Sequence, residues 1–296
     1  MVNPDEIKAE QIKIKNFWYM LKRFESDEVK DHEIILDCGD SRQYSTRTDS
    51  EGYFLFEIDK SLEEGTHEFL LRTENMFEGE KKQVTSNAKV IVPNPEAEYG
   101  VISDIDDTIL KSFIPTPFKM LKTLLTSSAS SRKSFEGTGE FYQKLVHNSA
   151  GKRRPFFFVS GSPWNIYDVL IHFIEDNNFP TATLFLKDLG ITDTYIFSES
   201  TKKHKLRWIK EILEFYPNQK FIVIGDSGQE DAEIYSEASE KFPERIDTIY
   251  IRDVSDGINN EKFAVLTEKL KANNIEFMTF KESTEAKNHA SSKSFI

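Results

Sequence analysis

The chain has 296 residues, with 38 Lys+Arg against 50 Asp+Glu and a formal net charge of −12 at pH 7. That balance excludes a generic nucleic-acid binder, which needs a basic face for phosphate. Hydrophobic residues make up 38% and charged residues 30%, which excludes a chain that is mostly disordered or mostly embedded in a membrane.

At roughly 100–200 residues per domain, the length predicts two domains or one domain with substantial insertions. Cys38 is the sole cysteine, so the chain can form neither an intrachain disulfide nor a multi-cysteine zinc site, and nothing calls for an oxidising compartment. Residues 1–15 alternate charged and apolar side chains and lack the apolar core of a signal peptide. No apolar run approaches the ~20 residues that span a bilayer, so the expected location is the cytoplasm.

Residues 1–95 are expected to form a β-sandwich domain. Short apolar or alternating runs recur at 11–15, 33–36, 53–58, 67–72 and 89–92, and turn formers around Gly52 and Gly65 separate them. This part carries most of the acidity: residues 1–98 hold 13 Lys+Arg and 22 Asp+Glu, net −9, which leaves net −3 for the rest. It offers no metal cluster and no partnered nucleophile, which suits a domain for positioning or for contact with a protein the sequence does not name. Phe17, Trp18 and Tyr19 read as core aromatics, with a ligand-binding aromatic patch as the alternative. Pro93 and Pro95 then restrict the backbone to a short, stiff linker.

Residues 96–280 alternate strands with helices. Apolar runs of strand length lie at 100–103, 156–159, 183–186, 221–224 and 248–251, as in strands covered on both faces. One helix follows Ser200 and Thr201, places Leu206, Ile209, Leu213 and Tyr216 on one stripe and stops at Pro217. Another is predicted from Ser162 and Pro163, burying Ile166, Leu170, Phe173 and Ile174. The order predicts an α/β fold, an open and mostly parallel sheet with helices on both faces, in which ligands bind beyond the carboxyl ends of the strands.

Those strand ends carry the chemistry. Asp104, Asp106 and Asp107 crowd the first; like charges this close raise one another's pKa or recruit a cation, and hard oxygen ligands suit Mg2+. Ser160, Gly161 and Ser162 at the second offer hydroxyls and N–H groups for a phosphate at a helix start. Gly225, Asp226 and Asp231 bring two more carboxylates at the fourth, and Lys202, Lys203 and Lys205 supply positive charge for a transferring phosphoryl group.

The order of these elements resembles the haloacid dehalogenase superfamily, with its D-x-D-x-T strand end, its Ser or Thr, its Lys and its G-D-x(3,4)-D element. The runs ISDIDDTI (102–109), FVSGSPWNIYDVL (158–170), FIVIGDSGQEDAEIY (221–235) and YIRDV (250–254) narrow the likeness to the catalytic domain of the actin-patch phosphatidate phosphatase family, over residues 92–254. The segment 132–145 also resembles that family, and the β-rich first part is similar to a domain preceding the catalytic one in some members.

The resemblance implies a Mg2+-dependent phosphatase converting phosphatidate to diacylglycerol. Asp104 would be the nucleophile, forming an aspartyl-phosphate. Asp106 would act as general acid and then base, aimed with Asp104 because residues two apart on an extended segment point the same way. Mg2+ would be held by the Asp104 carboxylate, the Asp106 carbonyl and Asp226, with Asp231 close by or bridging through water. Ser160 and Gly161 would bind the substrate phosphate. Lys205 would balance charge, since its spacing to Ile209, Leu213 and Pro217 fits the family; Lys202 and Lys203 remain candidates. Asp107 stands where the superfamily often has Gly.

Residues 111–150 would be a small helical cap insertion. Thr116 and Pro117 would start a helix carrying Phe118, Leu121, Leu124 and Leu125, which would either offer its apolar stripe to lipid chains in a peripheral membrane contact or pack on the sheet. Ser-rich 127–134 would let it move. The tail 281–296 is expected to be loosely ordered. Two other readings fit the motifs: a phosphatase for a soluble phosphoester, and a catalytically silent interaction module.

Overall fold

The computed structural model describes residues 29–39, 42–50, 52–59, 61–77, 80–110, 134–188, 190–192, 195–197, 199–254 and 260–296. They belong to two compact units that divide at Pro95 and Glu96.

The first unit is an antiparallel sheet of β1 (Glu33–Asp37), β2 (Gln43–Arg47), β3 (Gly65–Phe77) and β4 (Glu80–Val92) in the order β2-β1-β3-β4. Pairing of Gly65 with Val92 through to Phe77 with Glu80 makes β3 and β4 one long ribbon. Leu36 of β1 and Phe69 of β3 are the buried apolar side chains of this sheet among the described residues, and the first eight residues of β4 are solvated. Among the described residues this is one sheet, where the expected sandwich needs two. Residues 53–58 have the alternation of a strand but join no ladder, and Tyr53, Phe54 and Leu55 are exposed. Residues 11–15 and the aromatics at 17–19 lie outside the described residues.

The second unit begins with β5 (Tyr99–Ser103), α1 (Thr138–Leu145), β6 (Phe156–Pro163), a 3-10 turn (Trp164–Ile166), α2 (Tyr167–Asp176) and β7 (Thr183–Lys187). A small hairpin, β8 (Gly190–Thr192) and β9 (Tyr195–Phe197), precedes α3 (Thr201–Phe215), β10 (Lys220–Asp226) and α4 (Asp231–Lys241). β11 (Ile246–Arg252), α5 (Asn260–Ala272), β12 (Glu276–Phe280) and α6 (Ser283–Ser292) complete it. Six of these strands form a parallel sheet in the order β12-β11-β10-β5-β6-β7. The chain therefore builds outward from β5 through β7, then returns to lay β10 against the other side of β5. The carboxyl ends of β5 and β10 flank that switch point, the place where open α/β sheets bind ligands.

The two-residue period of the strands divides the core between the sheet's faces. Val101, Phe158, Ile222, Ile224 and Tyr250 pack on one side with residues of α1, α2 and α6. Ile102, Val159, Phe221, Val223, Ile249 and Ile251 pack on the other with residues of α3, α4 and α5. This double burial is why the strands read as continuous apolar runs.

Helix α3 starts as its sequence predicts: the Ser200 hydroxyl accepts from Lys203 N, and Ile209 and Leu213 are buried. The start of α2 differs from expectation. The chain stays extended through Pro163, and Ser162 caps no helix because its hydroxyl is bonded to Asp106, although Ile166, Leu170, Phe173 and Ile174 are buried as their spacing predicts. The tail expected to be loosely ordered is likewise corrected. Glu282 and Glu285 form a capping box at the start of α6, Ala286 and Ala290 are small enough to pack flush, and Phe295 is buried edge-on to Tyr99. Residues 111–133, with the cap helix expected there, lie outside the described residues. Among the described residues no helix is long and apolar enough to cross a membrane.

Candidate active site

The first acidic segment is held against β10. Asp104 N donates to Ile224 O (2.9 Å), carrying the β5–β10 ladder one residue past the strand and placing Asp104 beside Gly225 and Asp226. The chain then turns: Asp106 bridges to Leu110, and Asp107 adopts a left-handed backbone, φ 57°. Gly suits that conformation, and Asp is one of the few other residues that visit it readily, which gives a backbone reason for the residue that stands there. The turn follows Asp106, and the carboxylates of Asp104 and Asp106 have different partners.

Asp104 is fully buried. Its Oδ2 accepts from the Thr108 hydroxyl (3.3 Å), and its Oδ1 lies 2.8 Å from Lys205 Nζ. The same ammonium donates to Asp231 Oδ1, while Asp231 Oδ2 accepts from Asp226 N (3.2 Å). Gly225 makes this fold-back feasible, since a Cβ there would lie 2.5 Å from Asp231 Oδ2. Asp226 Oδ1 accepts from Gly228 N (2.6 Å) and Gln229 N (3.0 Å), and its buried Oδ2 has no partner. One oxygen each from Asp104, Asp226 and Asp231 lie within 4.8 Å of one another.

Asp106 faces β6 instead. Its Oδ2 accepts from the hydroxyls of Ser160 and Ser162, each at 2.8 Å, and its buried Oδ1 is unpartnered. Ser160 Oγ also accepts from Ser162 N (2.9 Å). Gly161, between the two serines, abuts the first residue of α3: a Cβ would lie 2.8 Å from Thr201 Cγ2. The tight approach of β6 and α3 therefore requires glycine.

Charge is poorly compensated here. Burial raises Asp104 well above the usual carboxylate range, with Lys205 opposing, and raises Asp106, with Ser162 and Ser160 opposing. Burial, reinforced by Asp231, pushes Asp226 up to about 8. Burial works against the Lys205 ammonium too, but Asp104 and Asp231 outweigh it and hold that pKa above its ordinary value. A compact cation is what such an arrangement suits: buried oxygens without donors, from a hard, all-carboxylate set.

The structure brings together Asp104, Asp226, Asp231 and Lys205, and sets Asp106 with Ser160 beside them. It separates the three candidate lysines, for Lys202 pairs with Glu237 (2.7 Å) and Lys203 is exposed. The reading of the sequence missed Ser162 and Thr108 as direct partners of the two acidic residues. Ser162 shares the Asp106 oxygen with Ser160, a role its place two residues on in an extended segment foreshadows.

Residues 99–253, just over half of the chain, match the family model described as phosphatidate phosphatase APP1, catalytic domain. The chain belongs to this family. The APP1 catalytic-domain match opens at the first residue of β5 and closes one residue after β11, so every candidate site residue falls inside it. The chain is 28% identical over 248 residues to phosphatidate phosphatase APP1 of Saccharomyces cerevisiae, covering 81% of this chain and 41% of that protein. It is also 28% identical over 253 residues to an uncharacterized protein of Schizosaccharomyces pombe, covering 81% of this chain and 38% of that one. It thus spans about two fifths of the length of the curated relatives it matches.

Proposed function

We propose that this chain is a Mg2+-dependent phosphatase that hydrolyses phosphatidate to diacylglycerol through an aspartyl-phosphate on Asp104, with a haloacid-dehalogenase-like catalytic domain. The observation that carries this reading is a buried Asp104 held between Lys205 and the Asp226 strand end, at the sheet's switch point, within an APP1 catalytic-domain match. Asp104 attacks phosphorus as the bond to the glycerol oxygen breaks. Asp106 gives its proton to the departing alkoxide, then takes one from the water that attacks the aspartyl-phosphate, which releases inorganic phosphate and regenerates Asp104. A raised Asp106 pKa, caused by burial, suits a group that must start protonated. Lys205 offsets the negative charge of nucleophile and phosphoryl group, and Ser160 with the Gly161 backbone receives the phosphoryl oxygens.

Mg2+ would be held by the carboxylates of Asp104 and Asp226, with the Asp106 carbonyl, while both Asp231 oxygens are already engaged by Lys205 and Asp226 N. When bound it neutralises charge between an anionic nucleophile and an anionic substrate. Residues 96–296 form the catalytic domain in this reading, with the cap in the part of 111–150 that precedes α1, which packs on the sheet, and residues 1–95 a separate positioning domain. Substrate is met by peripheral contact with a cytoplasmic membrane surface.

The test is phosphate release from phosphatidate vesicles and from p-nitrophenyl phosphate, with and without Mg2+, for wild type and Asp104→Asn. Mg2+-dependent release from vesicles that vanishes in Asp104→Asn is expected. Release from the soluble ester alone would refute the lipid assignment, and no release from either would refute the enzyme.

A further inference from the structure

Arg252 ends β11 within the YIRDV run, and the reaction outlined above gives it no part. Its side chain is 1% exposed, yet all its acceptors are neutral. Nε donates to Thr108 O (2.8 Å), Nη1 to Lys281 O (3.1 Å), and Nη2 to the hydroxyls of Thr138 and Ser283 (3.1 Å each). The guanidinium carbon lies 4.1 Å from the ring centre of Phe135 and 4.7 Å from that of Phe280. Burying a charge that no carboxylate bonds directly, with Glu282 acting only through space, is costly, and an apolar residue would fill the same space with less penalty. The planar fork therefore points to a geometric role, since it fixes several acceptors at once.

What it fixes is the spacing of the two acidic loops. Through the main chain, Arg252 O accepts from Ser227 N (2.9 Å), the residue after Asp226. Through the side chain it holds Thr108 O, and the Thr108 hydroxyl in turn holds Asp104 Oδ2. Thr138 of α1 and Ser283 of α6 bond each other (2.8 Å) and anchor the far end of the fork.

We infer that Arg252 is a positioning residue that sets the Asp104 carboxylate relative to Asp226, and that α6, beyond the matched catalytic domain, braces it. The inference rests on the reading of Asp104 and Asp226 as the working carboxylates.

The test compares wild type, Arg252→Lys, the double variant Thr138→Val/Ser283→Ala, and Phe295→Ala as a destabilised control away from the site. Readouts are kcat and KM on p-nitrophenyl phosphate, Mg2+ binding by calorimetry, and thermal unfolding. A misplacement near 1 Å costs about 100-fold, so Arg252→Lys is expected to lose about 30–100-fold in kcat with KM within about threefold. It should also bind Mg2+ several-fold more weakly. The double variant keeps the bond to Thr108 O and should lose a smaller part of kcat, roughly 3–10-fold, while Phe295→Ala keeps kcat. A folded Arg252→Lys with wild-type kcat and Mg2+ affinity overturns the inference. If Arg252→Lys does not fold, wild-type kcat in the double variant overturns it. Wild type that binds Mg2+ but releases no phosphate defeats the enzymatic reading alone; weaker Mg2+ binding by Arg252→Lys would still support the clamp.

Discussion

Replacing Lys205 by Met tests the charge balance of the site. Nζ lies 2.8 Å from Asp104 Oδ1 and is bonded to Asp231 as well, with all three side chains at most 1% exposed. At an effective dielectric of 20, one such contact is worth about 6 kcal/mol before desolvation. Desolvating the ammonium offsets several kcal/mol of the two contacts, and removing one partner of a buried pair costs about 3–5 kcal/mol because the other is stranded. We expect Lys205→Met to lose that much in urea unfolding followed by far-ultraviolet circular dichroism in a chelator. Adding Asp231→Leu takes away one of the two stranded acids, at the cost of the bond from Asp226 N, and should restore part of the loss. Activity should fall more than about 100-fold in both. A single variant within about 1 kcal/mol of wild type, or a double variant no more stable than the single, would refute the view that Lys205 neutralises the cluster.

Three further outcomes follow from local geometry. Asp107→Gly should unfold at or above the wild-type midpoint, whereas Asp107→Val should lose about 1–2 kcal/mol, because φ is 57° there; equal losses in thermal unfolding would assign the position to its carboxylate and not to its backbone. Gly161→Ala should lose about 1–3 kcal/mol by overpacking against Thr201, and Thr201→Ser in the same chain should recover much of it, as paired denaturation curves would reveal. Phe295→Ala should lose about 3–5 kcal/mol, measured by urea unfolding; a cost below about 1 kcal/mol would mean that the C-terminal segment does not pack as described.

The elements legible in the sequence are those with two buried faces. The runs at 100–103, 156–159, 183–186, 221–224 and 248–251 are strands because helices cover both sides, a condition that removes polar residues from a strand. Half-solvated elements left weaker traces. β2 reads QYSTR and exposes alternate residues, β12 sits at the sheet's margin with a Thr and a Glu, and α6 buries alanines within a polar stretch that resembles a tail. Residues 53–58 show the reverse, a strand-like pattern without a ladder, because alternation describes a surface and does not supply a neighbour. At the site, strand ends and glycines marked Asp104, Asp226 and Ser160. The helical period, joined to the burial of Ile209, separates Lys205 from Lys202 and Lys203 only once the face of α3 is known. The bonds from Ser162 to Asp106 and from Arg252 to Thr108 stayed hidden because each is made by tertiary contact.

The bond from Asp104 N to Ile224 O joins strands whose acidic ends are roughly 120 residues apart in the chain, so their pairing closes a long loop and is expected late in folding. Before that closure the carboxylates do not converge, and a one-residue slip of β10 would turn Asp226 to the opposite face. On the proposed reading, cation affinity would therefore report sheet register. During refolding, Mg2+ should leave early phases unchanged and act only on the species in which β5 and β10 have already met.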